Sequence, residues 1–116
     1  MEGAPIQPAT IEKKEKTYSL HLEGDVLKLA FVGSAQNTEI VKDAVSEVNR
    51  LISLGELVAG KVIKLNGPAS LPVAVAITNS VSGLFEVVAV FDPKLNGYVV
   101  SISNDPTIEV GSVLSA

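Results

Sequence analysis

The sequence predicts an α/β fold: a single compact domain with a mixed β-sheet, an N-terminal hairpin, a βαβ crossover and two main helices. Three observations predict it. Two strand-like runs near the start flank a turn, residues 37–55 have helical periodicity, and residues 60–92 have strand–helix–strand order. With 116 residues, 47% of them apolar, the chain is most simply one domain with its own core.

The N-terminal hairpin is predicted from an alternating pattern. Residues 17–22, TYSLHL, alternate apolar and polar side chains, which is the period of a half-buried strand. Glu23–Asp25 is typical of a turn, and residues 26–31, VLKLAF, continue as a second strand. Residues 1–16 contain two prolines and no periodicity, so we expect a loose N-terminal arm ahead of one domain at residues 17–116.

The first helix is predicted from apolar residues at three- and four-residue spacing between residues 37 and 55. Asn37 is suited to cap its start, and Glu39 complements the positive end of the helix dipole. Gly55 suits the exit from the helix.

The second helix is predicted over residues 70–82, where apolar residues occur on all sides. Such a run also suits a buried strand, but Ser70 can cap a helix and Pro72 fits its first turn. With strands at residues 60–66 and 86–92, this helix forms a right-handed βαβ crossover.

Two further strands are predicted after this crossover. Residues 98–104, YVVSISN, are the hairpin partner of the strand before them, and residues 107–115, TIEVGSVLS, supply one more edge strand.

Composition excludes several kinds of site and partner. The chain has no cysteine, which excludes disulfides and cysteine nucleophiles. No apolar run reaches the roughly 18 residues of a membrane span, and the start lacks the apolar segment of a secretory signal. We therefore expect a cytoplasmic protein without a membrane partner. The net charge of −4 argues against long DNA, whereas a small anion held by backbone N–H groups is compatible with it.

The segment NGPAS, residues 66–70, lies between the end of a predicted strand and the start of a predicted helix. Open α/β sheets bind ligands at such points, and the N–H groups at a helix start favour an anion. The same residues also suit a plain turn before a capped helix, and alone they favour that structural interpretation.

The segment DPKL, residues 92–95, follows the most apolar predicted strand. Because that strand should run parallel to the one before NGPAS, both loops should open at the same edge of the sheet. Asp92 would then hydrogen-bond a hydroxyl, and Lys94 would bind a phosphate. Asp-Pro and Asn96-Gly97 are equally typical of a turn that only closes a hairpin.

Other polar residues give weaker signals. Thr78, Asn79 and Ser80, in the last turns of the second helix, suit a pocket, a subunit contact or bonds to backbone carbonyls. His21, the only histidine, is predicted on the exposed face of an edge strand. No cluster of histidine and carboxylate residues has metal-ligand spacing.

Three blocks in a fixed order resemble a known family: LNGPASLPVAVAI (65–77), VAVFDPKLNGYVVSIS (88–103) and EVGSVL (109–114). They resemble the small CRISPR-associated Csx-three family, whose members degrade cyclic oligoadenylate, the second messenger of type III CRISPR defence. The resemblance covers roughly residues 17–113, and the GPASLP and AVFDPKL blocks are its most specific parts.

The resemblance implies a compact α/β subunit that forms a homodimer or higher homo-oligomer around cyclic tetra-adenylate or a short RNA. It also implies a phosphodiesterase, a ring nuclease, that favours Mn²⁺. Carried over to this chain, it makes Gly67, Pro68 and Ser70 a ligand-facing turn. It makes Asp92 the active-site acid and Lys94 the cation near a phosphate.

The chain departs from the family pattern at its histidines. Asn79 and Asn104 stand where imidazoles are expected, and we assign both to ligand binding because an amide can hydrogen-bond a phosphate or a ribose. An amide cannot shuttle a proton near neutral pH, and it is a poor ligand for a transition metal.

Three functional interpretations stay open. In the first, the protein cleaves the cyclic nucleotide slowly by holding a ribose 2′-hydroxyl in line with its phosphate. In the second, it is a catalytically inactive binder of cyclic oligoadenylate. In the third, favoured by the acidic surface and the helix rich in valine and alanine, it is an oligomeric interaction module without nuclease activity.

Overall fold

The structure, a computed structural model, describes residues 15–116, in which strands and helices follow one another along the chain. Nearly all of the predicted arm at residues 1–16 lies outside the described residues. The elements, in chain order, are β1 (Tyr18–Glu23), β2 (Val26–Phe31), α1 (Asn37–Ser53), β3 (Gly60–Asn66), α2 (Leu71–Ser82), β4 (Phe85–Asp92), β5 (Gly97–Ser103) and β6 (Val113–Ser115).

The described strands form one six-stranded sheet in the order β1-β2-β3-β4-β5-β6. Strands β2, β3 and β4 are parallel, and the outer pairs are antiparallel. This confirms the mixed sheet, the N-terminal hairpin and the crossover through α2. The parallel pairing of β2 with β3 adds a second crossover, through α1, that the sequence analysis does not predict. The last edge strand is shorter than predicted, since only Val113–Ser115 of residues 107–115 pairs with β5.

Both helices pack on the same face of the sheet. Each crossover connects a strand to the parallel strand beside it, and both crossovers proceed in the same direction across the sheet. Two such crossovers of the same handedness place their helices on the same side of the sheet. The main core lies between this face and the helices, and it includes Leu27, Ile63 and Val88 of the sheet with Val48 and Ile77 of the helices. Since α1 packs over β1 and α2 over β4, much of the same face of β5 is left uncovered.

A smaller core lies on the opposite face of β4 and β5. Val87, Ala89, Tyr98 and Val100 are buried there. The segment between β5 and β6 covers them and packs Ile108 against them. The domain therefore buries apolar residues on both faces of its central strands, although only one face carries helices.

Asp105 holds the covering segment, residues 104–112, in place. Only 6% of this residue is exposed. Its Oδ1 accepts hydrogen bonds from the Thr107 N–H at 2.8 Å and from the Thr107 hydroxyl at 2.7 Å. Its Oδ2 lies 2.6 Å from Nζ of Lys61. Because Lys61 belongs to β3, this ion pair ties the segment to the sheet.

The helix ends follow the sequence predictions with one exception. Gln36, not Asn37, is the N-cap of α1, and its carbonyl accepts hydrogen bonds from the N–H groups of Glu39 and Ile40 at 2.9 and 3.0 Å. Asn37 is therefore the first helical residue, and its predicted capping role is wrong. Glu39 lies in the first turn as predicted, and Gly55 leaves the helix with a φ of +75°. Neither helix in residues 15–116 is long and apolar enough to cross a membrane.

We predict that Asp105 makes the stability of the domain sensitive to acid. Hydrogen bonds from Lys61 and Thr107 lower the pKa of the Asp105 carboxyl from 3.8 to about 2. Because the pKa is lower in the folded state, the stabilisation is complete above the unfolded-state pKa and is lost as the pH falls towards 2. Urea unfolding should therefore show a steeper acid loss for the wild type than for Asp105→Asn, which should already be less stable at neutral pH.

Glu109→Gln is the matched control, because it removes an exposed carboxylate of the same segment. It should keep the acid sensitivity of the wild type. An Asp105→Asn protein as stable as the wild type at neutral pH would contradict the role of this carboxylate.

Candidate functional site

The two candidate loops, residues 67–70 and 92–95, lie side by side and form what we call the carboxyl edge. Strands β3 and β4 are parallel and pair Leu65 with Val90. The loops that follow each strand therefore leave the sheet next to each other. The geometry expected from the sequence is thus present.

A cavity of about 340 Å³ lies at the carboxyl edge. Gly67 and Ala69 line it from the first loop, Pro93 lines it from the second, and Ala74 and Thr78 line it from α2. A ligand in this cavity would contact both loops and one flank of the helix.

Two contacts from neighbouring strands hold the first loop in place. Gly67 has a φ of +138°, and a Cβ atom added to it would lie 2.0 Å from the carbonyl oxygen of Leu29 on β2. The hydroxyl of Tyr18 on β1 donates a hydrogen bond to the carbonyl of Pro68 at 2.5 Å. Burial raises the pKa of Tyr18 to about 12, so its hydroxyl stays protonated as a donor. The sequence alone does not reveal this role of Tyr18, because its position in β1 only indicates a core residue.

The start of α2 is joined to the start of α1. Ser70 is the N-cap of α2 as predicted, but its hydroxyl does not cap the helix. It donates instead to the side-chain oxygen of Asn37 at 2.8 Å. Neither helix has a bond from its N-cap side chain to a first-turn N–H group.

Lys42 lies beside these helix starts. A wide depression of about 490 Å³ is lined by Lys42 and Asn37 of α1 and by Pro72 of α2. The sequence pattern assigns Lys42 no role. Its position near the carboxyl edge depends on how α1 and α2 pack together, which helical periodicity does not reveal.

The second loop is a tight turn built on Asp92. Its Oδ1 accepts hydrogen bonds from the N–H groups of Lys94 at 2.8 Å and of Leu95 at 3.4 Å. Asn96 follows with a φ of +48°, as hairpin turns often require. The structural interpretation of this segment is therefore correct, yet it leaves Oδ2 of Asp92 without a hydrogen bond to any described residue. Lys94 is exposed and joins none of the described ion pairs.

The asparagines assigned to ligand binding lie away from the carboxyl edge. Asn104 follows β5, and its N–H donates to the carbonyl of Glu86 near the beginning of β4. It therefore lies at the opposite end of the sheet, because β5 runs antiparallel to β4, and it cannot share a site with Asp92. Asn79 lies on the flank of α2, whereas Ser80 on the same helix donates to the carbonyl of Ala76.

The described residues do not fit a manganese site. They contain no group of three or more His, Asp or Glu side chains placed to hold a metal ion. The two loops of the carboxyl edge supply one carboxylate, Asp92, and one of its oxygens already accepts two N–H groups. His21 lies on β1, where its Nε2 is 3.3 Å from a carboxylate oxygen of Glu23, and it belongs to neither loop. The described residues of the carboxyl edge therefore do not supply a set of metal ligands.

The comparisons with known proteins add no family. No protein-family model matches the chain, and neither the curated proteins nor the solved structures contain a match to it. The fold and the edge geometry define an α/β domain with two helices on one face of a mixed sheet and a cavity at the ends of its parallel strands.

We predict that Gly67→Ala destabilises the domain by about 2–4 kcal/mol, because the new Cβ would meet the Leu29 carbonyl and the positive φ would be strained. Chemical unfolding measures this loss. Gly83→Ala is the matched control, because a Cβ there meets nothing within 4 Å. Equal stabilities of the two variants would show that the loop can move away from β2.

Proposed function

We propose that this protein binds cyclic oligoadenylate, with cyclic tetra-adenylate as the ligand, at the carboxyl edge. The nucleotide, the type III CRISPR context and the cytoplasmic location follow from the sequence, chiefly from its resemblance to the Csx-three family in the GPASLP and AVFDPKL blocks. The geometry of the edge supports the anion-binding part of the proposal.

The observation that carries the proposal is that these two blocks meet at one cavity. Gly67 and Pro93 line it together, although 26 positions of sequence separate them. The start of α2 beside it has no side-chain cap, and Lys94 has no described ion-pair partner. N–H groups at a helix start and a free ammonium are the groups that proteins use for phosphate.

Slow cleavage is a second candidate, favoured by Oδ2 of Asp92, which no described residue hydrogen-bonds. A ribose 2′-hydroxyl in line with its phosphate would give its proton to this oxygen while the 2′-oxygen bonds to phosphorus and the 5′-oxygen leaves with a proton from water. Lys94 would stabilise the developing charge. Because no imidazole is available at the edge, we propose binding as the main function and turnover as slow.

A homodimer or higher homo-oligomer belongs to the same proposal. Leu71, which follows the first loop, is 81% exposed, and Leu95, in the second loop, is 57% exposed. A second copy placed over the edge would cover both side chains and enclose the ligand. An oligomer that forms without any response to nucleotide would favour the interaction module instead.

The purified full chain is to be titrated with cyclic tetra-adenylate, with and without Mn²⁺. Calorimetry measures binding, sedimentation velocity measures the oligomeric state, and chromatography of the nucleotide measures cleavage. Binding without product supports the binder, and a linear product supports the slow nuclease. No binding of cyclic tetra-adenylate or a short oligoadenylate RNA would overturn the proposal.

We predict that Lys94→Ala weakens the binding of cyclic tetra-adenylate by about tenfold, the loss of one charge-assisted contact. The slope of log affinity against log salt should fall by about one. Arg50→Gln is the control, because Arg50 lies in the last turn of α1, at the other end of that helix. An unchanged affinity and salt slope would make Lys94 a turn residue only.

We predict that Asp92→Asn and Asp92→Ala separate the two roles of Asp92. Asparagine keeps an oxygen for the N–H groups of Lys94 and Leu95, so the turn should persist, whereas alanine removes the turn bonds. If Oδ2 of Asp92 accepts the hydroxyl proton, both variants should lose turnover. Only Asp92→Ala should also weaken the binding of cyclic tetra-adenylate. Turnover by Asp92→Asn at the wild-type rate would remove Asp92 from catalysis.

A further inference from the structure

The cavity at the carboxyl edge continues along α2. A second cavity of about 360 Å³, which we call the α2 groove, lies between the flank of α2 at Val75 and Asn79 and the uncovered face of β5. It shares Ala74, Thr78 and Val90 with the cavity at the carboxyl edge. The two cavities are therefore adjacent.

The walls of the α2 groove are apolar and its rim is polar. Val75 is 66% exposed on the helix side, and Val90 is 38% exposed on the strand side. Thr78 and Asn79 add a hydroxyl and an amide about one turn further along α2. Apolar walls with a few polar groups at one side suit a flat ring that has hydrogen-bonding atoms along its edge.

The amide of Asn79 has unused hydrogen-bonding capacity. Its backbone carbonyl accepts a hydrogen bond from the Ser82 hydroxyl at 3.1 Å, but its side chain bonds to no described residue. An asparagine amide can donate to N7 of adenine and accept from its N6 amino group at the same time. Purine without the 6-amino group keeps N7 but has no donor beside it, so this contact would distinguish adenine from unsubstituted purine.

The spacing along the helix suits one nucleotide. Asn79 follows Leu71 by eight residues, which places it about 12 Å along the axis from the helix start. A phosphate bound at the start of α2 would therefore leave its base beside Asn79, since this length is on the order of one nucleotide.

We propose that the α2 groove is a base subsite that takes one adenine of a nucleotide whose phosphate lies at the carboxyl edge. The inference rests on the proposed function and adds to it which residues select the base. Val75 and Val90 contact the faces of the ring, and Asn79 contacts its edge.

The test compares cyclic tetra-adenylate with the same cyclic tetramer built from purine riboside, which has equal ring size and charge and lacks only the 6-amino groups, by equilibrium binding to the full chain. The wild type should prefer the adenine ring. Asn79→Ala should weaken adenine binding by about tenfold or more and weaken binding of the purine ring by less, so that the preference is lost. Asn49→Ala, which changes an exposed asparagine of α1, should keep the wild-type preference. Lys94→Ala should weaken both rings alike.

Two outcomes overturn the subsite. If both rings bind but Asn79→Ala keeps the wild-type preference, the subsite is wrong and the proposed function stands. If neither ring binds the wild type, the proposed function fails and the subsite fails with it. The Val75→Asp variant gives a second readout. Loss of its affinity for cyclic tetra-adenylate supports the subsite. A changed sedimentation coefficient with an unchanged preference between the two rings makes the groove a protein interface.

Discussion

The close approach of the Gly67 backbone to the carbonyl of Leu29 is the constraint on which the candidate site depends. It brings the loop after β3 against the end of β2, where only a residue without a Cβ atom fits. The Tyr18 hydroxyl adds a bond from β1 to the next residue, Pro68. Two strands therefore determine where the loop lies, and with it the start of α2. A ligand at this edge would meet a surface that is already formed, which lowers the entropic cost of binding.

The position of both helices on one face accounts for the other part of the site. The two crossovers use β2, β3 and β4, and α1 and α2 cover the sheet only from β1 to β4. The chain then returns through a hairpin, so no described helix follows β4. The uncovered side of β5 becomes the α2 groove, and the segment tied down by the ion pair between Lys61 and Asp105 covers the opposite face at β4 and β5. The fold thus leaves a groove on one face of β5 and covers the other.

The chemistry available at the edge favours recognition over turnover. Asp92 uses one oxygen to shape the turn that presents Lys94, so acid and cation belong to one small structural unit. The two loops of the edge contain no histidine, so they offer no imidazole for proton transfer near neutral pH. Positioning and charge remain, and they suit the retention of a charged ligand better than proton transfer.

By itself the sequence determined most of the strands, both helices, their order and the place of the two candidate loops. Alternation in TYSLHL, the helical period after Asn37 and the turn residues of NGPAS and DPKL are local signals, and local signals depend on neighbouring residues only. The tertiary structure decided which distant residues meet. Antiparallel pairing moved Asn104 to the far end of the sheet, packing brought Tyr18 to Pro68 and Lys42 to the helix starts, and the second crossover left β5 uncovered. These outcomes depend on strand pairing and helix packing across the whole domain. The hydrophobic periodicity of one segment does not show which other segments it contacts.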